Sequence, residues 1–179
     1  LTLCPDCGGL MDIVYDYPAI ARALNRATLA ARGEQSMWRY QELLPIEAES
    51  AERMAARGLR VGHSPLYRAE ALAQELGLRA LYIKDEGQNP TASMKDRASA
   101  MAVAKAREAG RDIIACSSTG NAASSLAGAC ARAGMRSYIF VPERAPKGKI
   151  AQLLIFGAKV FAVKGDYAAT FRLYADMIE

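Results

Sequence analysis

A lysine at the predicted start of a helix is the residue of this sequence best placed for nucleophilic chemistry. Lys95 follows an Asn-Pro turn, and Thr91 or Ser93 can cap the helix that begins there. The positive end of a helix dipole disfavours an ammonium, so a lysine in the first turn gains amine character and becomes a better nucleophile. This placement suits a lysine that forms a Schiff base. The ordinary alternative is a solvated Lys95 beside Asp96.

A second loop combines hydroxyl groups with a glycine ahead of an alanine-rich helical pattern. Backbone N–H groups at a helix start bind anions without any basic side chain, so Ser118, Thr119 and Gly120 can hold a carboxylate or a phosphate. The alternative is an ordinary helix cap made by Ser118 or Thr119. The sequence contains neither G-x-G-x-x-G nor G-x-x-x-x-G-K-[ST], so it lacks the signatures of dinucleotide and nucleotide binding.

Two cysteines near the start of the sequence have the spacing of a zinc knuckle. Cys4 and Cys7 form a C-x-x-C followed by glycines, a turn that aims two thiolates at one metal ion. A closed zinc site needs about four ligands, so the pair is half of a site. A redox pair and two idle thiols are the alternatives. Cys116 and Cys130 lie in apolar runs and are expected to be small buried side chains.

The composition is that of a globular protein. Of the 179 residues, 51% are hydrophobic and 23% are charged, which excludes disordered and disulfide-dense classes. No apolar run approaches the roughly 20 residues that cross a bilayer, and the 23 basic residues form no patch for a nucleic acid. We therefore expect neither a membrane nor a nucleic acid as partner. Since no basic and apolar leader is visible, we expect a cytoplasmic protein.

Short strands and longer helices alternate in the part of the sequence that must position these loops. From about Gly62 onward this rhythm predicts βαβ units, an α/β fold with a parallel sheet, and helices on both faces of the sheet. Ligands of such sheets bind beyond the carboxyl ends of the strands, where both loops fall. The predicted strands are 80–84, 112–116, 136–141 and 159–163, and the predicted helices are 69–76, 95–109, 121–133, 147–156 and 167 onward.

The pattern of helices and strands before Gly62 is less regular. We expect a ribbon strand over 10–15, a helix over 18–32, and an exposed charged helix over 47–57 that ends at Gly58. At the other end, the last helical pattern runs to residue 179 without a capping glycine or proline. This favours a chain that is truncated at its C-terminus.

Three blocks of the sequence resemble the threonine synthase family, within the fold-type II group of pyridoxal-phosphate enzymes. The blocks are 62–66, 84–97 and 118–122. The similarity extends from about Trp38 to the end, and the leading C-x-x-C resembles the zinc-ribbon segment of that family. The resemblance implies a partial zinc-ribbon-like segment over 1–37, with structural zinc in the complete protein. It also implies that residues 38–179 are the N-terminal part of a catalytic domain.

The resemblance assigns a role to each residue of the two loops. Lys95 falls on the lysine that binds pyridoxal phosphate covalently, and Asn121 on the asparagine that bonds the cofactor's 3′-oxygen. Ser118, Thr119 and Gly120 fall on the loop that holds the α-carboxylate of an amino-acid substrate. The implied activity is that of a lyase that converts O-phospho-L-homoserine and water to L-threonine and phosphate, as a homodimer. The cofactor's phosphate loop and the partner of its pyridine nitrogen are expected beyond residue 179.

Other functions are also compatible with the same residues. Within the fold-type II group they are a threonine or serine dehydratase, a cysteine synthase and a cysteate synthase. Outside enzymes, a non-catalytic protein can keep the fold for interaction. The presence of both Lys95 and Asn121 favours an enzyme, and the block 89–97 with the C-x-x-C favours the threonine synthase branch. The sequence departs from the family at Met94, where Phe is more common, and at Ala92, where Gly is usual.

Overall fold

The computed structural model describes residues 4–57 and 60–178, which form helices, a short ribbon and a parallel sheet. The first part contains α1 (Tyr17–Ala23), α2 (Arg26–Ala31), a 3₁₀ helix (Met37–Leu43) and α3 (Ala48–Arg57). The middle contains β1 (Leu66–Arg68), α4 (Glu70–Glu75), β2 (Tyr82–Lys84), a 3₁₀ turn (Glu86–Gln88) and α5 (Lys95–Glu108). The last part contains β3 (Ile113–Ser117), α6 (Asn121–Ala133), β4 (Arg136–Pro142), α7 (Lys147–Ile155), β5 (Lys159–Val163) and α8 (Tyr167–Ile178).

The parallel sheet has the strand order β3-β4-β5, so the α/β prediction is confirmed. Cys116 of β3 lies beside Ile139 of β4, which lies beside Val160 of β5. The predicted strand 80–84 does not join this sheet. Its residues Tyr82–Lys84 pair antiparallel with Leu66–Arg68 in a separate ribbon. Three residues are too few to show an alternating pattern, which is why β1 gave no signal in the sequence.

Helices cover both faces of the sheet, as predicted. Successive residues of a strand point to opposite faces. On β4, Ile139 and Val141 are fully buried in the core cluster that includes α5 and α6. Phe140 points the other way, because its ring stacks on Phe161 at 4.9 Å and meets the edge of Tyr174 on α8 at 5.9 Å. One face therefore carries α5, α6 and α7, and the other carries α8.

Small side chains allow α5 and α6 to pack closely, which matters because these two helices carry the predicted site. Val103 and Ala104 of α5 and Ala123 and Ala127 of α6 are at most 1% exposed. Trp38 of the first 3₁₀ helix, 3% exposed, belongs to the same core cluster. Within the described residues, no helix is both long enough and apolar enough to cross a membrane.

The strand predicted over 10–15 is wrong. Within that range Leu10 forms a single bridge, and residues 11–15 are not part of a strand. The side chains that suggested an alternating pattern face solvent, with Leu10 87% and Val14 93% exposed. Without a paired segment, the apolar pattern has no buried face to occupy.

The helix predicted over 18–32 is two helices. Asn25 stops the first and starts the second, because its side chain accepts the N–H groups of Ala27 and Thr28 while the Thr28 hydroxyl accepts the N–H of Asn25. The helix predicted over 47–57 is confirmed as α3. It is only partly exposed, since its Ala51 is 1% exposed. The predicted end at Gly58 lies outside the described residues.

Candidate functional site

Three helices begin at the carboxyl edge of the parallel sheet. α6 and α7 leave the ends of β3 and β4, while α5 runs back to the beginning of β3, so all three have their N-termini at one edge. Lys95, Asn121 and Lys147 are the first residues of α5, α6 and α7. This edge is where parallel α/β sheets bind their ligands. The two loops predicted to carry chemistry therefore lie on the expected side of the sheet.

The starts of α5 and α6 are neighbours. One turn into each helix, the hydroxyl of Ser99 lies 2.6 Å from the hydroxyl of Ser125, and both residues are buried. Since both helices run in the same direction, Lys95 and the loop that ends at Asn121 begin adjacent helices. The structure thus brings together the lysine and the anion-binding loop that the sequence predicted separately.

A buried carboxylate fixes the loop that carries Lys95. Asp96 is 1% exposed and accepts the Thr91 N–H at 2.8 Å and the Thr91 hydroxyl at 2.5 Å. The Ser93 hydroxyl accepts the N–H of Lys95 at 3.1 Å, so Ser93 caps the helix start and Thr91 binds Asp96 instead. The side chain of Lys95 is exposed, and the ion pairs of residues 4–57 and 60–178 do not include it. Asp96 therefore supports the loop, while Lys95 itself faces solvent.

Ala92, within the same loop, has a left-handed backbone with φ of +56°. L-residues with a Cβ atom rarely adopt this conformation, and it costs about 1–2 kcal/mol. The position is one where the resembled family usually has glycine. The departure noted in the sequence is thus accompanied by backbone strain close to Lys95.

The start of α6 has no side-chain cap, which contradicts the ordinary-cap alternative for Ser118 and Thr119. The N-cap residue is Gly120, and the Ser118 hydroxyl accepts the N–H of Gly120 at 3.2 Å instead of a helical N–H. Both hydroxyl residues are half-buried. The first N–H groups of the helix are left for an outside acceptor, so the loop suits a carboxylate or a phosphate.

Two residues of this edge were not singled out by sequence reasoning. The Ser117 hydroxyl is buried and has no hydrogen-bond partner within the described residues. Its position at the end of β3 was the only available signal. Lys149 lies in the first turns of α7, and its Nζ donates to Oδ1 of Asn121 at 3.4 Å. Because the amide oxygen is used, the NH₂ group of Asn121 is the part left to donate to a ligand.

A polar network joins three of the sequence blocks behind the Lys95 loop. Arg97 of α5 forms a two-pronged ion pair with Glu86, with both N–O distances at 2.7 Å. Ser64 and Asn89 also donate to the Glu86 carboxylate, at 2.5 and 2.9 Å. The Arg97 guanidinium, followed by the hydroxyl of Ser64 and the amide of Asn89, lowers the pKa of Glu86 to about 2 against the opposing effect of burial. Glu86 therefore holds its charge throughout the physiological range.

Gly62 closes this network from the other side. Its N–H donates to the Asn89 side chain at 2.9 Å, and its φ is +79°. A Cβ atom at this position would lie 2.7 Å from Nη1 of Arg97. Only glycine fits there without displacing the guanidinium.

The cysteine pair lies ahead of α1 and belongs to none of these helix starts. A tight turn joins Cys4 to the glycines, with the Gly8 N–H donating to the Cys4 carbonyl at 2.9 Å. Hydrogen bonds from the backbone N–H groups of Asp6 and Cys7 lower the pKa of Cys4, which favours a thiolate. Among the described residues, no group of three or more His, Cys, Asp or Glu side chains could hold a metal.

The other two cysteines are the small apolar side chains that were predicted. Cys130 is fully buried, and burial raises its pKa to about 11. Cys116 is partly buried, and burial raises its pKa as well. Neither thiol is suited to act as a nucleophile near neutral pH.

Comparison with known proteins gives one consistent family. The family described as pyridoxal-phosphate dependent enzyme matches residues 58–179. A threonine synthase from Methanocaldococcus jannaschii is 43% identical over 163 residues, which cover 90% of this chain and 39% of that protein. A threonine synthase from Methanosarcina acetivorans is 38% identical over 165 residues, covering 92% of this chain and 38% of that protein. The chain thus spans about two fifths of the length of these relatives.

A solved structure supports the fold. Threonine deaminase isoform 2 from Solanum lycopersicum is 28% identical and superposes with a TM-score of 0.58. The match covers 64% of this chain and 33% of the deaminase chain.

Proposed function

The chain belongs to the family of pyridoxal-phosphate dependent enzymes, and from this premise we propose that it is the part of a threonine synthase that carries the cofactor lysine. The proposed reaction converts O-phospho-L-homoserine and water to L-threonine and phosphate. The observation that carries the proposal is the adjacency of two helix starts, one bearing Lys95 and the other an uncapped N-terminus behind Ser118 and Thr119. The identity to two threonine synthases supports the choice of reaction.

The donor set of this edge fits pyridoxal phosphate. The cofactor offers an aldehyde, which needs an amine, and a ring oxygen, which needs a hydrogen-bond donor. The exposed amine of Lys95 and the NH₂ group of Asn121 meet these two needs. When bound, the cofactor supplies an electron sink for negative charge that develops on the substrate carbon.

The residues of the chain would then bind the cofactor and the substrate, and one of them would also transfer protons. Lys95 would hold the cofactor through its aldehyde, and its amine would move protons at the carbons of the substrate. Ser118, Thr119 and Gly120 would bind the α-carboxylate at the start of α6, where the helix dipole favours an anion. Lys149 would keep the amide of Asn121 turned so that its NH₂ group faces the cofactor oxygen.

The decisive experiment replaces Lys95 in the complete protein that contains this sequence. Lys95→Ala should remove both the visible absorbance of protein-bound pyridoxal phosphate and turnover of O-phospho-L-homoserine. Lys95→Arg should not restore them, because a guanidinium stays protonated and cannot act as the nucleophile. Lys105→Ala is the matched control, since Lys105 is a cation on the same helix that pairs with Glu108 at 2.6 Å.

Two results would speak against the proposal in different ways. Wild-type absorbance and turnover in Lys95→Ala would reject Lys95 as the cofactor lysine. Turnover of serine or threonine as efficient as that of O-phospho-L-homoserine would instead favour a dehydratase.

The half zinc site of Cys4 and Cys7 stays a prediction, which metal analysis of the complete protein checks. Homodimer formation, which the resemblance implies, and a cytoplasmic location also stay predictions.

A further inference from the structure

A cavity lies at the edge of the sheet opposite the proposed active site. It has a volume of about 660 Å³ and is bordered by α3, by the ends of α5 and α6, and by the residues that lead into β3 and β4. The five residues of β3 separate the two edges by roughly 15 Å at the usual rise per residue. The cavity is thus a separate site, and its volume is within the range of small-molecule pockets.

The rim of the cavity carries an excess of positive charge. Four arginines line it, namely Arg53, Arg107, Arg111 and Arg132, against one acidic residue, Asp112. Asp112 is paired with Arg136 at 2.6 Å, and Arg53 is paired with Glu49 at 3.4 Å. Arg107 donates to the carbonyl of Ala133 and not to a carboxylate. Three guanidinium groups of the rim therefore have no carboxylate partner within the described residues.

Helix capping accounts for Arg107, whose guanidinium donates to the last carbonyl of α6, but it does not account for the other two guanidinium groups without a carboxylate partner. Cations are common in the last turn of a helix because they offset its dipole. At both helix ends, however, backbone groups already satisfy several of the last carbonyls. The Arg111 N–H donates to Ala106 at 2.8 Å, and the Met135 N–H donates to Cys130 at 2.9 Å. The exposed side chains of Arg111 and Arg132 are left for a ligand.

Apolar side chains line the inner part of the same cavity. Met54, Ala104 and Met135 are 8%, 1% and 8% exposed, and they belong to the core cluster. A ligand in this cavity would meet apolar atoms on one side and guanidinium groups on the other. An inorganic anion would contact only the guanidinium groups of such a site.

We propose that this cavity binds a small organic anion that carries a phosphate or carboxylate on an apolar body about the size of a nucleoside monophosphate. The arginines would hold the anionic group by paired N–H donors, which match the geometry of carboxylate and phosphate oxygens. The methionines would contact the apolar body, since their flexible thioethers adapt to rings of different shape. The proposal does not depend on the reaction catalysed at the other edge.

The test measures binding of AMP to the complete, cofactor-loaded protein by isothermal titration calorimetry at low salt. Arg111→Gln and Arg132→Gln should each weaken AMP binding by about tenfold, because each removes a charged hydrogen-bond donor. Both side chains are exposed, so the variants should fold normally. Arg22→Gln is the matched control, since Arg22 is also an exposed arginine in the last turn of a helix but does not line the cavity.

Pyrophosphate serves as the second probe and isolates the contribution of the apolar body. AMP should bind more tightly than pyrophosphate in the wild-type protein, and Ala133→Leu, which reduces the cavity but keeps its charges, should narrow that difference. The proposal is overturned if AMP does not bind, or if Arg22→Gln weakens binding as much as the two rim variants. Pyrophosphate binding as tight as AMP binding would overturn the assignment of an organic ligand.

Discussion

The backbone of Ala92 offers a direct test of strain in the Lys95 loop. Its φ of +56° costs about 1–2 kcal/mol for a residue with a Cβ atom. Glycine avoids this cost but loses about 0.5–1 kcal/mol more entropy on folding. Ala92→Gly should therefore stabilise the protein by up to about 1.5 kcal/mol, measured by urea unfolding. Fluorescence of the single tryptophan, Trp38, is a suitable probe because its side chain is 3% exposed.

The same substitution on α5 should have the opposite sign. Ala98 is exposed and lies inside the helix, where glycine costs about 1 kcal/mol relative to alanine. Ala98→Gly should therefore destabilise the protein. A loss of stability in both variants would show that the backbone at Ala92 is not strained in solution.

The hydroxyl of Thr119 tests whether the loop of Ser118, Thr119 and Gly120 binds the substrate carboxylate. Thr119→Val keeps the volume of the side chain but removes a donor to a charged oxygen, a bond that contributes about 1.5–3 kcal/mol. In the complete protein, kcat/KM for O-phospho-L-homoserine should fall by roughly ten- to a hundred-fold, while the cofactor absorbance persists because Lys95 is untouched. Thr119→Ser, which keeps the hydroxyl, should retain most of the activity. Equal kcat/KM in Thr119→Val and wild type would remove Thr119 from substrate binding.

Single residues with a distinctive chemistry could be identified from the sequence, whereas the residues that hold them in position could not. Lys95 and the Ser118–Asn121 loop are marked by residue type and by position at a predicted helix start. Asp96 has an equally clear type, but its burial and its bonds to Thr91 depend on how the loop folds back. The contact between Lys149 and Asn121 joins two different helices. No local pattern contains that information.

Packing between α6 and the Lys95 loop makes Gly128 a position where one methyl group matters. A Cβ atom at Gly128 would lie 2.9 Å from Cγ2 of Thr91, the residue that binds Asp96. Gly128→Ala should destabilise the protein by about 1–3 kcal/mol through overpacking. It should also weaken pyridoxal phosphate binding, because the displaced loop carries Lys95. Both effects are measurable, by urea unfolding and by titration of the cofactor.

A second substitution separates this contact from a general effect on α6. Thr91→Ser removes Cγ2 but keeps the hydroxyl that donates to Asp96. In combination with Gly128→Ala it should recover most of the lost stability and cofactor affinity. If the double variant is no better than Gly128→Ala alone, the close approach of α6 to Thr91 is not the cause.

Helices and strands were predictable where glycines and proline mark their ends. α6 was predicted with both boundaries correct, because Gly120 and Gly134 flank an uninterrupted helical pattern. The break between α1 and α2 was missed, since the capping box around Asn25 competes with a helical pattern that continues on both sides. The pairing of β1 with β2 was also missed, because both strands are exposed and short.

Across the whole molecule, one carboxylate links segments that are far apart in sequence. Glu86 accepts hydrogen bonds from Ser64, Asn89 and Arg97 and is three-quarters buried. Its pKa is about 2 in the folded protein against an ordinary value of 4.5. At pH above about 4.5 the carboxylate is charged in both folded and unfolded chains, and its contribution to stability is complete.

Acid should therefore destabilise the fold through this group. As the pH falls from about 4.5 towards 2, the unfolded chain binds a proton at Glu86 before the folded chain does, so the free energy of unfolding decreases. Glu86→Gln should be less stable than wild type at neutral pH and should lose less stability across this range. Urea unfolding at several pH values measures both effects. Glu49→Gln, which removes a carboxylate whose side chain is 85% exposed, is the control. An unchanged pH dependence in Glu86→Gln would mean that Glu86 is not held as a charged partner of Arg97.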